Sequence, residues 1–137
     1  MPEITVSTVV NAPVARAWEA FTTPDHITQW NFAAPEWCCP SATNDLRVGG
    51  EFSSRMEARD GSMGFDFAGV YTDVQPLEHF AYVLGDDRRV TVSFEAISSD
   101  QTRVTEVFDP ETVNPEEMQR GGWQAILDNY KKHAETL

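Results

Sequence analysis

The sequence predicts an α+β domain: a curved antiparallel β-sheet of about six strands wrapped around one long C-terminal helix, with an internal cavity between them. Three observations lead there. Between Glu51 and Phe108, apolar and polar residues alternate in short runs separated by turn dipeptides, the period of strands with one buried face. The C-terminal segment carries an apolar stripe at helical spacing. Two short helical segments sit between the first strand and the rest, giving the order β-α-α-β-β-β-β-β-α.

Ile4 to Val10 is β-branched and alternating, which suits a first strand. Asn11-Ala12-Pro13 opens a helix, with Pro13 at the first helical position, where its missing N–H would be unpaired in any case. Val14, Ala17, Trp18 and Phe21 recur at helical spacing, and the helix stops near Thr22. Thr23-Pro24 repeats the start signal, and Ile27 and Trp30 share a face of a second short helix. Asn31 to Asp45, with Pro35, Pro40 and the adjacent Cys38 and Cys39, reads as an irregular loop.

Glu51 to Arg59 is a strand with Phe52, Met56 and Ala58 on one face and Glu51, Arg55, Glu57 and Arg59 on the other. Asp60-Gly61 is a hairpin turn, because a tight reversal needs the positive φ that glycine adopts without strain. Met63 to Val74 is the partner strand, with Phe65, Phe67, Gly69 and Tyr71 on one face, and Pro76 ends it. Phe80 to Leu84, Arg89 to Ile97 and Thr102 to Phe108 complete the meander, with turns at Gly85-Asp86-Asp87 and Ser98 to Gln101.

Asn114-Pro115-Glu116-Glu117 gives the final helix an N-cap, a proline in the first turn and a glutamate three residues after the cap. Met118, Gly122, Trp123, Ile126, Leu127 and Tyr130 form its apolar stripe, and Lys131, Lys132 and His133 suit the negative pole of its dipole. Gly121-Gly122 costs about 1 kcal/mol per residue relative to alanine, which points to a close backbone approach by the sheet or a ligand. Short turns make an antiparallel meander whose apolar face must be covered. The C-terminal helix alone is long enough to cover it, and a curved sheet gripping one helix leaves space between them.

The chain has 137 residues and reads as one continuous domain, 1–137, without repeats or a low-complexity linker. Its 10 Lys and Arg against 22 Asp and Glu give a net charge of −12. That balance excludes broad phosphate contact, hence a nucleic-acid partner, and argues against an anionic membrane surface. No apolar run reaches the length of a span, and the N-terminus carries no basic and apolar leader. Adjacent cysteines cannot staple distant segments, so reduced thiols and a cytoplasmic location are expected.

Several spacings together carry a family resemblance. They are Asn11-Ala12-Pro13 with Trp18, Pro24 with Ile27 and Trp30, Asp45-Leu46-Arg47-Val48-Gly49-Gly50, Phe67-x-Gly69, Thr102, and Gly121-Gly122-Trp123-x-x-Ile126-Leu127. In order and spacing, from Ile4 to about Glu135, the chain resembles the SRPBCC superfamily, also called START-like or birch-pollen-allergen-like, with the helix-grip fold. Within it the chain is similar to the family named after the activator of the heat-shock-protein-ninety ATPase. The resemblance implies a cavity between sheet and helix; related families bind lipids, hormones or polyketides, or cyclise aromatic rings. The co-chaperone that gave the name carries a further chaperone-binding domain before this module, whereas this sequence opens on the first strand. Many relatives carry a second aromatic after the tryptophan at position 30, where this chain has Asn31.

If the apolar strand faces point inward, the cavity wall includes Phe52, Met56, Phe67, Tyr71, Tyr82, Val92, Phe94 and Phe108. The helix adds Trp123 and Leu127, and Trp30 lies near the entrance. Mostly apolar walls with a few polar groups are the anatomy of a small-molecule site, although the same side chains could simply fill a core. Glu106 stands out. By alternation it shares a face with Val104 and Phe108 and points inward, where an unpaired carboxylate is costly. It would then be a polar anchor, hydrogen-bonded to Tyr71 or Tyr82, unless a one-residue bulge turns it to solvent. Arg55, Glu57, Arg59 and Asp66 read as a solvated face with cross-strand ion pairs.

His26, His79 and His133 lie on different elements without a metal-ligand interval, no serine or cysteine sits in a nucleophile elbow, and no glycine loop has phosphate-binding spacing. No metal, no cofactor and no catalytic set are therefore expected. Three functions compete. The first is a non-enzymatic module for a small hydrophobic or aromatic molecule. The second is a cyclase- or hydrolase-like enzyme with Glu106 as acid/base. The third is a co-chaperone-like interaction module with a protein partner or a second copy of itself as a homodimer.

Overall fold

A computed structural model describes residues 3–137; Met1 and Pro2, the first residues of the expected domain, lie outside the described residues. The elements are β1 (Ile4–Val10), α1 (Val14–Thr22), α2 (Pro24–Trp30), β2 (Trp37–Asn44), β3 (Glu51–Ala58), β4 (Gly64–Gln75), β5 (His79–Leu84), β6 (Arg89–Ser98), β7 (Gln101–Phe108) and α3 (Glu116–Glu135). All strands belong to one sheet in the order β1-β7-β6-β5-β4-β3-β2, each pair antiparallel. The curled sheet holds α3 against its apolar side, the arrangement of the helix-grip fold.

The sheet has seven strands, not six. Trp37–Asn44, expected as a loop, pairs with β3 as the edge strand β2. A register shift between Cys38 and Ser41 breaks the alternation there. An edge position with a bulge is where a sheet tolerates a proline, here Pro40, because one row of backbone groups has no ladder partner to lose. Further register shifts at Tyr71/Asp73 and Ala96/Ser98 add local twist and help the sheet to curl.

The short helices follow the expected bounds, with Pro24 in the first turn of α2 and Pro13 one position earlier than expected, as the N-cap residue of α1. The start of α3 differs more. Pro115 is its N-cap residue and no side chain caps it. Gln119 instead ties the preceding loop to the helix. Its Nε2 donates to the carbonyls of Glu111 and Asn114 (3.1 and 2.8 Å), and its Oε1 accepts the Glu111 N–H (2.8 Å). This contact turns Gln119 inward and leaves Met118, expected in the apolar stripe, 63% exposed.

The core sits where α3 and α1 press on β1, β7 and β6. Ile4, Val10, Val92, Val104, Phe108 and Tyr130 are all but fully buried there. Polar tips inside it are paired: Tyr130 donates to the Ala17 carbonyl (2.6 Å), Trp30 Nε1 to the Ala20 carbonyl (2.9 Å) and Thr102 Oγ1 to the Ala12 carbonyl (2.9 Å). The expected solvated face is present, with Arg55 bonded to Glu57 (2.9 Å) and across the strands to Asp66 (3.4 Å).

Candidate ligand-binding cavity

Strand alternation sends Phe52, Ser54 and Met56 of β3 to the same side as Phe65, Phe67 and Tyr71 of β4 and Phe80 and Tyr82 of β5. This half of the sheet is not covered closely by α3, which packs chiefly on β1, α1 and α2. The result is a cavity of about 280 Å³, closed on the helix side by Trp123 and Ile126 and at the α2 end by Phe21, Ile27 and Trp30. Gly69 is what lets Phe52 lie across it. Gly69 faces Phe52 in register, and a Cβ there would sit 2.9 Å from the Phe52 ring and 2.9 Å from the Val83 carbonyl. The rings interlock edge-on: Phe52 lies 4.7 Å from Tyr82, and Phe67 lies 6.2 Å from Trp123. Phe65, half exposed, stands at the rim beside Trp37 (6.0 Å).

Eight residues that the sequence assigns to the wall meet around this space: Trp30, Phe52, Met56, Phe67, Tyr71, Tyr82, Glu106 and Trp123. The other four do not line it. Val92 and Leu127 are filled in by neighbours, Phe94 packs against Trp18 (5.1 Å), and Phe108 stacks flat beneath Trp123 (3.9 Å, 12°). The sheet is curled, so an inward-pointing residue on β6 or at the end of β7 meets a helix before it meets the void. Conversely, Phe65, Phe80 and Ile126 were readable from the faces of Phe67, Tyr82 and Trp123. Thr43 and Asn44 were hidden because their strand reads as a loop, and Arg88 because it follows a turn.

Polar groups are few and mostly committed. Tyr71 donates to Asn44 Oδ1 (2.6 Å), and Asn44 Nδ2 in turn donates to the Thr22 carbonyl (2.6 Å), fixing the α2 end. Arg88 is held by Asp86 (2.7 Å). Glu106 does point inward: it faces Val6 on one side and Val92 on the other with no bulge, and is 7% exposed. The expected bond to Tyr71 or Tyr82 does not form. Tyr71 is engaged with Asn44, and among the described residues no charge or hydrogen bond offsets the burial of Glu106. Its carboxyl is therefore pushed up to about 8 by desolvation alone. Tyr82 is raised too, by burial and then by its proximity to Glu106.

The close approach expected at Gly121 and Gly122 is absent: a Cβ on either would meet nothing within 4 Å. Two histidines that the sequence leaves apart are brought together, with His26 Nδ1 2.9 Å from His133 Nε2 and Glu19 3.6 Å from His26 Nε2. The pair links α2 to α3 behind the cavity's α2 end. Among the described residues there is no cluster of three or more His, Cys, Asp or Glu that could hold a metal ion. Cys38 and Cys39 are free thiols, and burial raises that of Cys39. No helix among the described residues is long and apolar enough to cross a membrane.

Residues 11–135 match the family described as activator of Hsp90 ATPase homolog 1-like protein. No curated protein matches the chain. Among solved structures, an AHSA1-like protein from Aeromonas hydrophila is 38% identical, with TM-score 0.91, covering 98% of this chain and 92% of that one. A protein from Cytophaga hutchinsonii is 45% identical, with TM-score 0.84 and the same coverage. A protein from Chromobacterium violaceum, 24% identical over 98% of this chain and 99% of that one, shares the fold (TM-score 0.83).

Proposed function

Because the chain belongs to the activator of Hsp90 ATPase homolog 1-like family, a fold suited to ligand binding or protein interaction, we propose that it is a binding module for a small hydrophobic or aromatic molecule held between sheet and α3. The observation that carries this reading is the uneven use of one apolar face. The sheet presents apolar side chains along its whole inner side, yet α3 fills only one half and leaves about 280 Å³ in the other. A chain selected only for stability gains by filling such a void, since each lost contact weakens the fold. Aromatic walls with one inward carboxyl match the make-up of ligand pockets.

Native mass spectrometry of freshly purified protein tests this reading, followed by addition of a panel of lipids and flat aromatic compounds. A bound mass that competes with panel members is the expected result. A chain that stays empty and inert to the whole panel overturns it and transfers the assignment to protein interaction. A second reading, general-acid catalysis, rests on the protonated state of Glu106 near neutral pH. It requires turnover that Glu106→Gln abolishes while binding survives.

A further inference from the structure

The polar end of the cavity constrains the chemistry of its occupant. Glu106 comes from the middle of β7, where β1 and β6 hold its backbone on both sides, so the carboxyl cannot swing out without unpairing the sheet. Its side chain lines the cavity beside Tyr82, and neither group has a hydrogen-bond partner among the described residues. The other buried tyrosine hydroxyls are occupied, Tyr71 by Asn44 and Tyr130 by the Ala17 carbonyl. Arg88, the cation in the lining, is neutralised by Asp86 and does not offset the burial of Glu106.

An unpaired carboxylate in an apolar surround is costly, so the group keeps its proton. A protonated carboxyl offers an O–H donor, and a tyrosine hydroxyl offers a second. Both donors have no protein partner among the described residues and open onto a hollow lined with rings. A ligand that supplies an acceptor satisfies them without bringing charge into the cavity, whereas an amine would have to strip the proton and an anion would have to be desolvated.

Resting on the reading of the cavity as a ligand site, we propose that its occupant is an uncharged molecule with an aromatic or alicyclic body and a carbonyl-type oxygen that accepts hydrogen bonds from Glu106 and Tyr82. Glu106 is then the residue that selects oxygenated over plain hydrocarbon ligands, and the rings supply affinity without that selectivity.

Three matched probes test this: benzophenone, diphenylmethane, which lacks the oxygen, and benzhydrylamine, which carries an ammonium in its place. Each is titrated into the full chain by calorimetry and by amide chemical shifts, at about pH 6 and about pH 9.5, on either side of the carboxyl's titration. Benzophenone should bind about tenfold more tightly than diphenylmethane at the lower pH, the factor one net hydrogen bond supplies. That preference should shrink at the higher pH, where Glu106 has lost its proton and Tyr82 alone still donates. Glu106→Gln should keep the preference at both pH values, because the amide still donates. Glu106→Leu should keep only the weaker preference that the Tyr82 hydroxyl supplies, and keep it at both pH values. Equal wild-type affinity for benzophenone and diphenylmethane overturns the proposal and leaves the binding module standing. Tightest binding of benzhydrylamine overturns it in favour of a cation site. If no probe shifts any resonance of the cavity wall, the binding-module reading falls with it.

Discussion

The apolar side of the sheet is treated differently along its width. Over β1, β7 and β6 it is packed solid by α1 and α3, with Val10, Val92, Val104, Leu127 and Tyr130 excluded from solvent. Over β3, β4 and β5 it is lined by larger rings, Phe52, Phe67, Tyr71 and Tyr82, yet it stays hollow. Composition does not separate the halves, since both are apolar and both are strands with one buried face. The position of the helix axis separates them. Leu127, Tyr130 and Ala134 face the packed half, while Trp123 and Ile126 face the hollow one. A single helix cannot contact the full width of a seven-stranded curled sheet, and interlocked rings hold the uncovered part open.

The sharpest test of that contrast is Glu106, whose strand belongs to the packed half and whose side chain faces the hollow one. In the folded protein its carboxyl keeps its proton to about pH 8, against an ordinary value of 4.5. The folded state thus binds more protons than the unfolded state between these values. Its stability relative to Glu106→Gln is highest below the lower value and falls as pH rises through the upper one, by up to about 5 kcal/mol. Urea denaturation of both proteins across this range measures it. Parallel stability curves would mean that solvent reaches the carboxyl freely.

Truncations compare the halves directly. Leu127→Ala should cost about 3 kcal/mol, because packed neighbours cannot collapse into the space. Phe67→Ala, which enlarges a space already present, should cost no more than about 1.5 kcal/mol despite the larger side chain removed. Equal losses in chemical denaturation would show that the hollow half is as tightly packed as the other.

Gly122→Ala has the opposite sign. The position is helical, has open space around it and needs no positive φ, so alanine should stabilise by about 1 kcal/mol and raise Tm by roughly 4 °C. A drop in Tm would reveal a close approach that the packing does not contain. The smallest effect is expected at the histidine pair. His133 is held below its ordinary 6.5 by burial and then by His26, so it resists protonation when folded. Its contribution is present above that value and is lost as pH falls below it. His133→Gln should flatten the acid-side decline in Tm; an unchanged slope would assign that decline to other groups.

The strands with clean alternation, Ile4–Val10 and the run from Glu51 to Phe108, were legible because a period of two can be read without knowing neighbours. Trp37–Asn44 was not. Its bulge and Pro40 erase the period, and its status as a strand depends on the β3 ladder alone. The candidate site divides the same way. Glu106 could be placed inward from its own strand, as could Tyr82 and Phe52. That Val92, Phe94, Phe108 and Leu127 would be covered depends on the curl of the sheet and the line of α3. Alternation assigns a face and says nothing about what lies above it. The meeting of His26 with His133 is likewise a product of docking two helices distant in sequence.

By itself, then, the sequence determined the α+β class, the long final helix, the short ones before it and the bounds of most strands. Each of these follows from periodicity and from local backbone chemistry that neighbours do not change. Only the tertiary structure decided which half of the sheet is filled, that Glu106 lacks the tyrosine partner expected for it, and that its proton is retained near neutral pH. Those outcomes depend on distances between elements and on how much water they leave behind, which local patterning does not encode.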